Sequence, residues 1–371
     1  MRIHGMTMPG GICERLENSM IGSTTMQGLL RLCQEKEASD LHLSVGLPPA
    51  ARIHGEIVTL PFDNLSSDTC RELVTSILND EQIEKFEQDW ELDFSLEIPG
   101  VGRFRVNVFR ERGNMEASLR IIQPQIKSLQ ELGLSEAALE LSRKPNGLVL
   151  VTGPTGVGKT TTFNSLLDQI NRERRCRIIT IEDPIEYIHR HKKSIVLQRE
   201  VHSDTKSFAM ALRHILRQDP DIIGVGEMRD LETISTAITA AETGHLVIAT
   251  LHTSDAQQTI DRIVDVFPPF QHDQIRIQLA NSLQGIISQQ LLPTVDKNGR
   301  VLAYELLIAT PAVRRIIREN KIPQLDTFIQ TGAEFGMVSM DRSLKTLYQQ
   351  GRIAYDIALS KVKNPMAFKE L

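Results

Sequence analysis

The sequence predicts an α/β protein in which a larger, parallel-sheet domain follows a smaller α+β domain. Three observations predict it. Leu148-Val149-Leu150-Val151 is a short apolar run, of the kind buried on both faces of a parallel sheet, and it leads straight into a glycine-rich turn. Downstream, the strand-like segments Arg177–Glu182, Asp221–Gly226 and Leu246–Leu251 alternate with helical stretches. Upstream, Arg103–Val108 alternates with period two, as a half-buried strand does.

The chain has 371 residues, enough for two or three domains that each bury a core. Its formal net charge of −5 gives no support to a general nucleic-acid binder, and no nucleic-acid partner is expected. The four cysteines (Cys13, Cys33, Cys70, Cys176) form no C-x-x-C pair, so neither a zinc knuckle nor a disulfide framework is expected. No window approaches the ~18 consecutive apolar residues of a membrane span. Residues 1–25 have no clear period and are expected to be a disordered lead.

From Met26 the pattern turns helical, with Met26, Leu29, Leu30 and Cys33 spaced i, i+3, i+4, i+7. Short strands are expected over 38–44, 51–57 and 91–98, with a helix near Ser67–Asn79. Together these make a small α+β domain over residues 26–123. Within it Phe104, Val106 and Val108 share one face of their strand, and Arg103, Arg105 and Asn107 the other; Arg110 and Arg112 follow. Two readings of these arginines stand: a solvated edge face, or arginine fingers that reach a neighbouring subunit's phosphates from a rigid strand. Residues 124–145, with one short amphipathic helix between prolines, read as an interdomain linker. The domain of residues 146–371 follows, helical beyond about 310, where Val313, Ile316, Ile317 and Asn320 share one face and Arg314, Arg315 and Arg318 the other.

After the Leu148–Val151 run comes Gly153-Pro154-Thr155-Gly156-Val157-Gly158-Lys159-Thr160, which fits the phosphate-loop pattern G-x-x-x-x-G-K-[ST] at every fixed position. Glycines let backbone N–H groups turn inward around a triphosphate. Lys159 supplies charge to the β and γ phosphates, and the Thr160 hydroxyl a ligand for Mg²⁺. The helix expected from Thr161 to about Ile170 points its positive end at the same phosphates. The chain therefore reads as a binder of a nucleoside triphosphate with Mg²⁺.

Three polar clusters stand at the strand ends. Glu182-Asp183-Pro184-Ile185-Glu186 puts carboxylates at the edge of its strand. The strand before Gly226-Glu227 ends in a glutamate placed to polarise the attacking water. The usual strand-end Asp is missing, so Glu182 or Glu227, through a water, is expected to complete the metal shell. In the third cluster His245 and His252 bracket an apolar strand, each placed to sense phosphate from one end. Alone, any of these is ordinary helix-capping or packing chemistry; in order after a phosphate loop they are not.

The segments GPTGVGKTTT, TIEDPIEYIHRHKKS, QREV, ALRHILRQDPDIIGVGEMRDLET and AAETGHLVIATLHT resemble the Walker A, Asp-box, Walker B and His-box motifs of the type II/IV secretion ATPases. ASDLHLS, RFRVNVFRERG and AVRRIIREN extend the resemblance to the pilus-retraction branch of that family, over most of the chain from Met26 to about Lys363. The resemblance implies a PAS-like amino-terminal domain and a RecA-like ATPase domain, assembled as a homo-hexameric cytoplasmic ring at the inner-membrane pilus machine. It implies ATP hydrolysis that powers pilus retraction through a membrane platform protein, alongside paralogous pilus ATPases. Position by position it gives Lys159, Thr160 and Thr161 to the nucleotide and Glu227 to catalysis. Glu182 and Glu186 fall to the Asp box, His245 and His252 to the His box, and Arg103, Arg105 and Arg112 to the trans-acting arginine strand. Gly224, His202 and Arg315 depart from the family pattern, and Gly224 is expected to weaken packing. An extension or secretion ATPase is the alternative, but its four-cysteine metal site has no counterpart, since only Cys176 lies in the ATPase domain. A nucleotide-gated scaffold with little turnover is the other, and Glu227 argues against it.

Overall fold

A computed structural model of the protein describes residues 25–53, 55–122, 125–296, 299–363 and 365. The expected disordered lead thus lies, but for Thr25, outside the described residues. The chain divides into two compact units, Met1–Ile122 and Gln123–Leu371.

In the first unit six strands form one antiparallel sheet: β1 (Asp40–Leu43), β2 (Ala50–Ile53), β3 (Glu56–Thr59), β4 (Glu91–Ile98), β5 (Gly102–Glu111) and β6 (Asn114–Ile122), ordered β3-β2-β1-β6-β5-β4. Phe104, Val106 and Val108 of β5 are fully buried in a core that also takes Met26, Leu29, Leu30 and Cys33 from the helix Met26–Glu35. The single strand expected over 51–57 is a hairpin instead, turned at Gly55, where φ is +92°. The helix expected over Ser67–Asn79 ends at Thr75, and Asn79 starts a second one, Asp80–Asp89. Its capping box, with Gln82 N donating to Asn79 Oδ1 (2.8 Å) and Asn79 N to Gln82 Oε1 (3.0 Å), is a signal the N-x-x-Q spacing carried.

In the second unit β7 (Gly147–Thr152), β8 (Arg177–Glu182), β9 (Ile195–Glu200), β10 (Ile222–Val225), β11 (Leu246–Leu251), β12 (Leu283–Pro293) and β13 (Arg300–Ile308) form a sheet ordered β13-β12-β7-β11-β10-β8-β9. All its neighbours run parallel except the β12–β13 pair. From β7 the chain runs to one side and returns through β10 and β11, then crosses to β12 on the other. The carboxyl ends of β7 and β12 therefore flank the switch point where open α/β sheets bind ligands. Alternate β7 residues feed two cores: Leu148 and Leu150 one, Val149 and Val151 the other, the latter shared with Phe163, Leu166 and Leu167 of the helix Lys159–Glu173.

Residues 125–145 do not behave as a linker. Leu129, Leu134, Ala138, Leu139 and Leu141 are buried in the core that Val149 and Val151 share, because so many large aliphatic side chains cannot remain in water at low cost. Among the carboxyl-terminal helices, Pro311–Arg318 buries Val313, Ile316 and Ile317. Asn320 lies past its end at φ +54°, off that face. Arg314, on the opposite face, is half-buried, and its Nη1 donates to the carbonyls of Ala280 and Asn281, each at 2.6 Å. Arg315 pairs with Glu319 at 2.6 Å on the exposed side. Among the described residues no helix is long and apolar enough to cross a membrane.

Two departures from the family pattern acquire reasons. Gly224 leaves no hole: a Cβ there would lie 2.8 Å from Thr180 Cγ2 and 3.0 Å from Phe163, so the space is already filled. The expected loss of packing is corrected accordingly, and Gly224→Val should destabilise the protein by about 1–3 kcal/mol through overpacking, read from its denaturant midpoint. His202 sits at φ +71°, in the left-handed region where a side chain costs ~1–2 kcal/mol. Glycine removes that strain but adds ~0.5–1 kcal/mol of unfolded-state freedom. His202→Gly is therefore expected to stabilise the fold by roughly 0.5–1 kcal/mol in the same measurement.

Candidate nucleotide-binding site

The phosphate loop joins β7 to the helix Lys159–Glu173, at the mouth the topology marks out. Gly153 takes φ +146°, and a Cβ on it would stand 2.7 Å from Gln289 O of β12 and from Val157 Cγ2, so only glycine fits. Gly158, at φ +89°, caps the helix without a side chain and leaves its first N–H groups to a ligand. Lys159 is 8% exposed and donates to Gly153 O (2.8 Å) and Pro154 O (2.9 Å), which leaves one of its three donors for a phosphate. Burial lowers its pKa, and the Glu227 carboxylate partly restores it. Thr160 follows in the first helical turn, and Thr161 Oγ1 lies 3.2 Å from the Tyr187 hydroxyl.

The facing wall comes from the ends of β10 and β11. His252 spans the gap between the loop and Glu227: its Nδ1 is 3.3 Å from Thr155 Oγ1 and its Nε2 3.3 Å from Glu227 Oε1. Arg229 donates to the other Glu227 oxygen at 2.7 Å. Burial works to raise the Glu227 pKa, but Arg229, His252 and Lys159 together hold it below the usual carboxylate range. At neutral pH Glu227 is thus a fixed, ionised acceptor, suited to orienting a water.

The missing strand-end Asp has a steric cause. A side chain at Gly226 would meet Ile181 O at 3.0 Å and Glu182 Cα at 3.2 Å, so β8 takes that space and presents Glu182 instead. Glu182 is 2% exposed. Its Oε1 accepts from Thr180 Oγ1 (2.7 Å) and Gln198 Nε2 (2.9 Å), while Oε2 is buried with no partner among the described residues. Burial raises its pKa, which an added cation would reverse. An orphaned buried carboxylate oxygen is the donor a hydrated divalent cation needs, so the residues present fit Mg²⁺. Glu186 lies in the same loop, close enough to raise the Glu182 pKa further.

Not every expected residue converges here. His245 stands at the amino end of β11, six residues from the mouth, or roughly 20 Å at the rise of a strand. Its Nδ1 lies 2.9 Å from Ala240 O, at the end of the helix Leu231–Glu242, so the expectation that it senses phosphate from its end of the strand is corrected. Arg103, Arg105 and Arg112 belong to the first unit. Arg103 lies 3.9 Å from Glu97, Arg105 is exposed on the face away from the core, and Arg112 is 88% exposed at φ +48°. Residues the sequence reading passed over include Arg229, Gln198 and Tyr187; the E-x-R spacing at 227–229 was the available signal.

A phosphate loop at the switch point of a parallel sheet, faced by an ionised glutamate and a buried, cation-ready carboxylate, defines a phosphate-loop ATPase. Residues 79–305 match the model of the Type II/IV secretion system protein family, and the chain belongs to that family. It is 49% identical over 340 residues to the type IV pilus retractation ATPase PilT of Pseudomonas aeruginosa, covering 92% of this chain and 98% of the other. It is also 49% identical to the twitching motility protein of Neisseria gonorrhoeae, covering 85% and 84%. A crystal structure of the pilus retraction motor PilT with bound ADP superposes with a TM-score of 0.89 at 50% identity, covering 94% of this chain and all of that one.

Proposed function

We propose that this protein is the ATP-driven motor that retracts type IV pili. The observation that carries the reading is its likeness, along nearly the whole chain, to proteins named for that task. In this reading Lys159 and the open N–H groups after Gly158 hold the β and γ phosphates. The Thr160 hydroxyl, with Glu182 through a water, would hold Mg²⁺, which when bound would supply positive charge to screen the phosphates. Glu227, kept ionised and in place by Arg229 and His252, orients the water that attacks the γ-phosphorus, and ADP and phosphate leave. The strand that carries Arg103, Arg105 and Arg112 supplies an arginine in trans, from one subunit of a homo-hexamer to its neighbour's nucleotide. Each subunit interface of the ring closes on ATP and opens after hydrolysis, and the ring passes that motion to a platform protein at the cytoplasmic face of the inner membrane.

The experiment that tests direction is electron microscopy of cells lacking the protein. Abundant, long pili are expected. Bald cells would make it an assembly ATPase, and normal piliation would reduce it to an accessory paralogue.

A further inference from the structure

Behind the phosphate loop lies a chain of buried and half-buried polar side chains with no role in the hydrolysis itself. Thr180 and Glu182 of β8 face the helix Lys159–Glu173 together with Gln198 of β9, which pairs in register with Thr180. Gln198 spends its whole amide on this corner. Its Nε2 donates to Glu182 Oε1 (2.9 Å) and to Tyr187 O (2.7 Å), and its Oε1 accepts from the backbone N–H of His189 (2.8 Å). The His189 side chain is 0% exposed, and its Nε2 lies 2.7 Å from Asn164 Oδ1. Asn164, itself fully buried, donates through Nδ2 to Thr160 O at 2.9 Å. Because that bond turns Oδ1 toward the imidazole, His189 Nε2 carries a proton and donates it to Asn164. Its Nδ1 lies 3.9 Å from Asp168 Oδ1. A continuous path thus runs from the Glu182 carboxylate, through Gln198, His189 and Asn164, to the backbone of Thr160.

We infer that Gln198 and His189 are positioning residues that fix Glu182 and Thr160 relative to each other, so that two oxygen donors, one at the end of β8 and one on the helix after β7, present one preset cation site. This deepens the proposed function and rests on the role given there to Glu182. The physical reason is that Thr160 rides on the helix after β7 while Glu182 ends β8, with β11 and β10 between their strands. Donors so far apart in the sheet hold a small, geometrically demanding ion only if something rigid sets their spacing. Gln198 also holds Oε1 so that Oε2 stays the unpartnered atom.

The test uses the full chain with Gln198→Met, His189→Leu, the conservative His189→Gln, Glu182→Gln, and the Gln198→Met/Glu182→Gln double variant. In the absence of Mg²⁺, affinity for fluorescent ADP should stay within about threefold of wild type. With ADP bound, Mg²⁺ affinity by calorimetry should fall ~10-fold for Gln198→Met and His189→Leu, with kcat falling in step. His189→Gln, which keeps a donor for Asn164, should restore most of both. Gln198→Met should add nothing once Glu182 is Gln, since it acts through that carboxylate. Wild-type Mg²⁺ affinity and kcat in Gln198→Met and His189→Leu, beside an impaired Glu182→Gln, would overturn the positioning role alone. Fully additive losses would overturn it too, as mere structural damage. Wild-type behaviour of Glu182→Gln would instead remove the role given to Glu182, and this inference with it. Should Gln198→Met melt too low to assay, Gln198→Asn, one methylene too short to reach Glu182, carries the same comparison.

Discussion

Lys159→Ala is expected to weaken ADP and ATP binding by about 100-fold. A charged ammonium donating to phosphate contributes roughly 1.5–3 kcal/mol, and losing the upper part of that range is about two decades in affinity. The structure adds a reason to expect the upper part. Lys159 is nearly buried and braces the loop by donating to Gly153 O and Pro154 O, so its removal also leaves two inward carbonyls without their donor just where the anion must sit. Lys159→Arg should not rescue, because a planar fork cannot make the compact contacts of an ammonium among those carbonyls. Calorimetric titration with ADP reads the effect, and unchanged affinity would contradict the role.

Glu227→Gln should lower turnover by about 10³-fold, within the span typical for a positioned acid or base, while nucleotide affinity stays within about threefold. The two side chains are the same size, so the pocket keeps its shape. What changes is the charge that Arg229 and His252 hold facing the loop, at 2.7 and 3.3 Å. Because the folded-state pKa of Glu227 lies below its ordinary value, held there by Arg229, His252 and Lys159, the carboxylate stays ionised between pH 5 and 7. Any acid limb of the wild-type rate between pH 5 and 7 must then come from another group, and single-turnover phosphate release across pH separates the two. Wild-type turnover in Glu227→Gln would place the water-orienting group elsewhere.

The phosphate loop and the strands at Arg177–Glu182 and Leu246–Leu251 were legible because short, mostly apolar runs that end abruptly in glycine or polar residues have few alternative structures. β9, β12 and β13 were not. Gln198, Ser288, Gln289 and Glu305 break up their apolar pattern, and each is a hydrogen-bond partner inside the fold: Gln198 to Glu182, Ser288 to Thr152, Gln289 to Thr162, and Glu305 to the backbone N–H of Ala256. His245 shows the other limit. Two histidines bracketing one strand look equivalent in sequence, yet a strand has two ends and only His252 stands at the carboxyl one. The absent strand-end Asp was visible as Gly226, but its cause, the close approach of Glu182, is tertiary. Nor could spacing show that residues 125–145 complete the core beneath β7, since a short amphipathic helix between prolines suits a linker equally well.

If hydrolysis at this site drives pilus shortening, live imaging of fluorescently labelled pili reads it most directly. In cells whose own copy is replaced by wild type, extended pili should shorten and disappear. With Glu227→Gln at equal abundance they should extend and stay extended. Shortening at the wild-type rate with Glu227→Gln in place would contradict the account, because the force would then come from somewhere other than this nucleotide site.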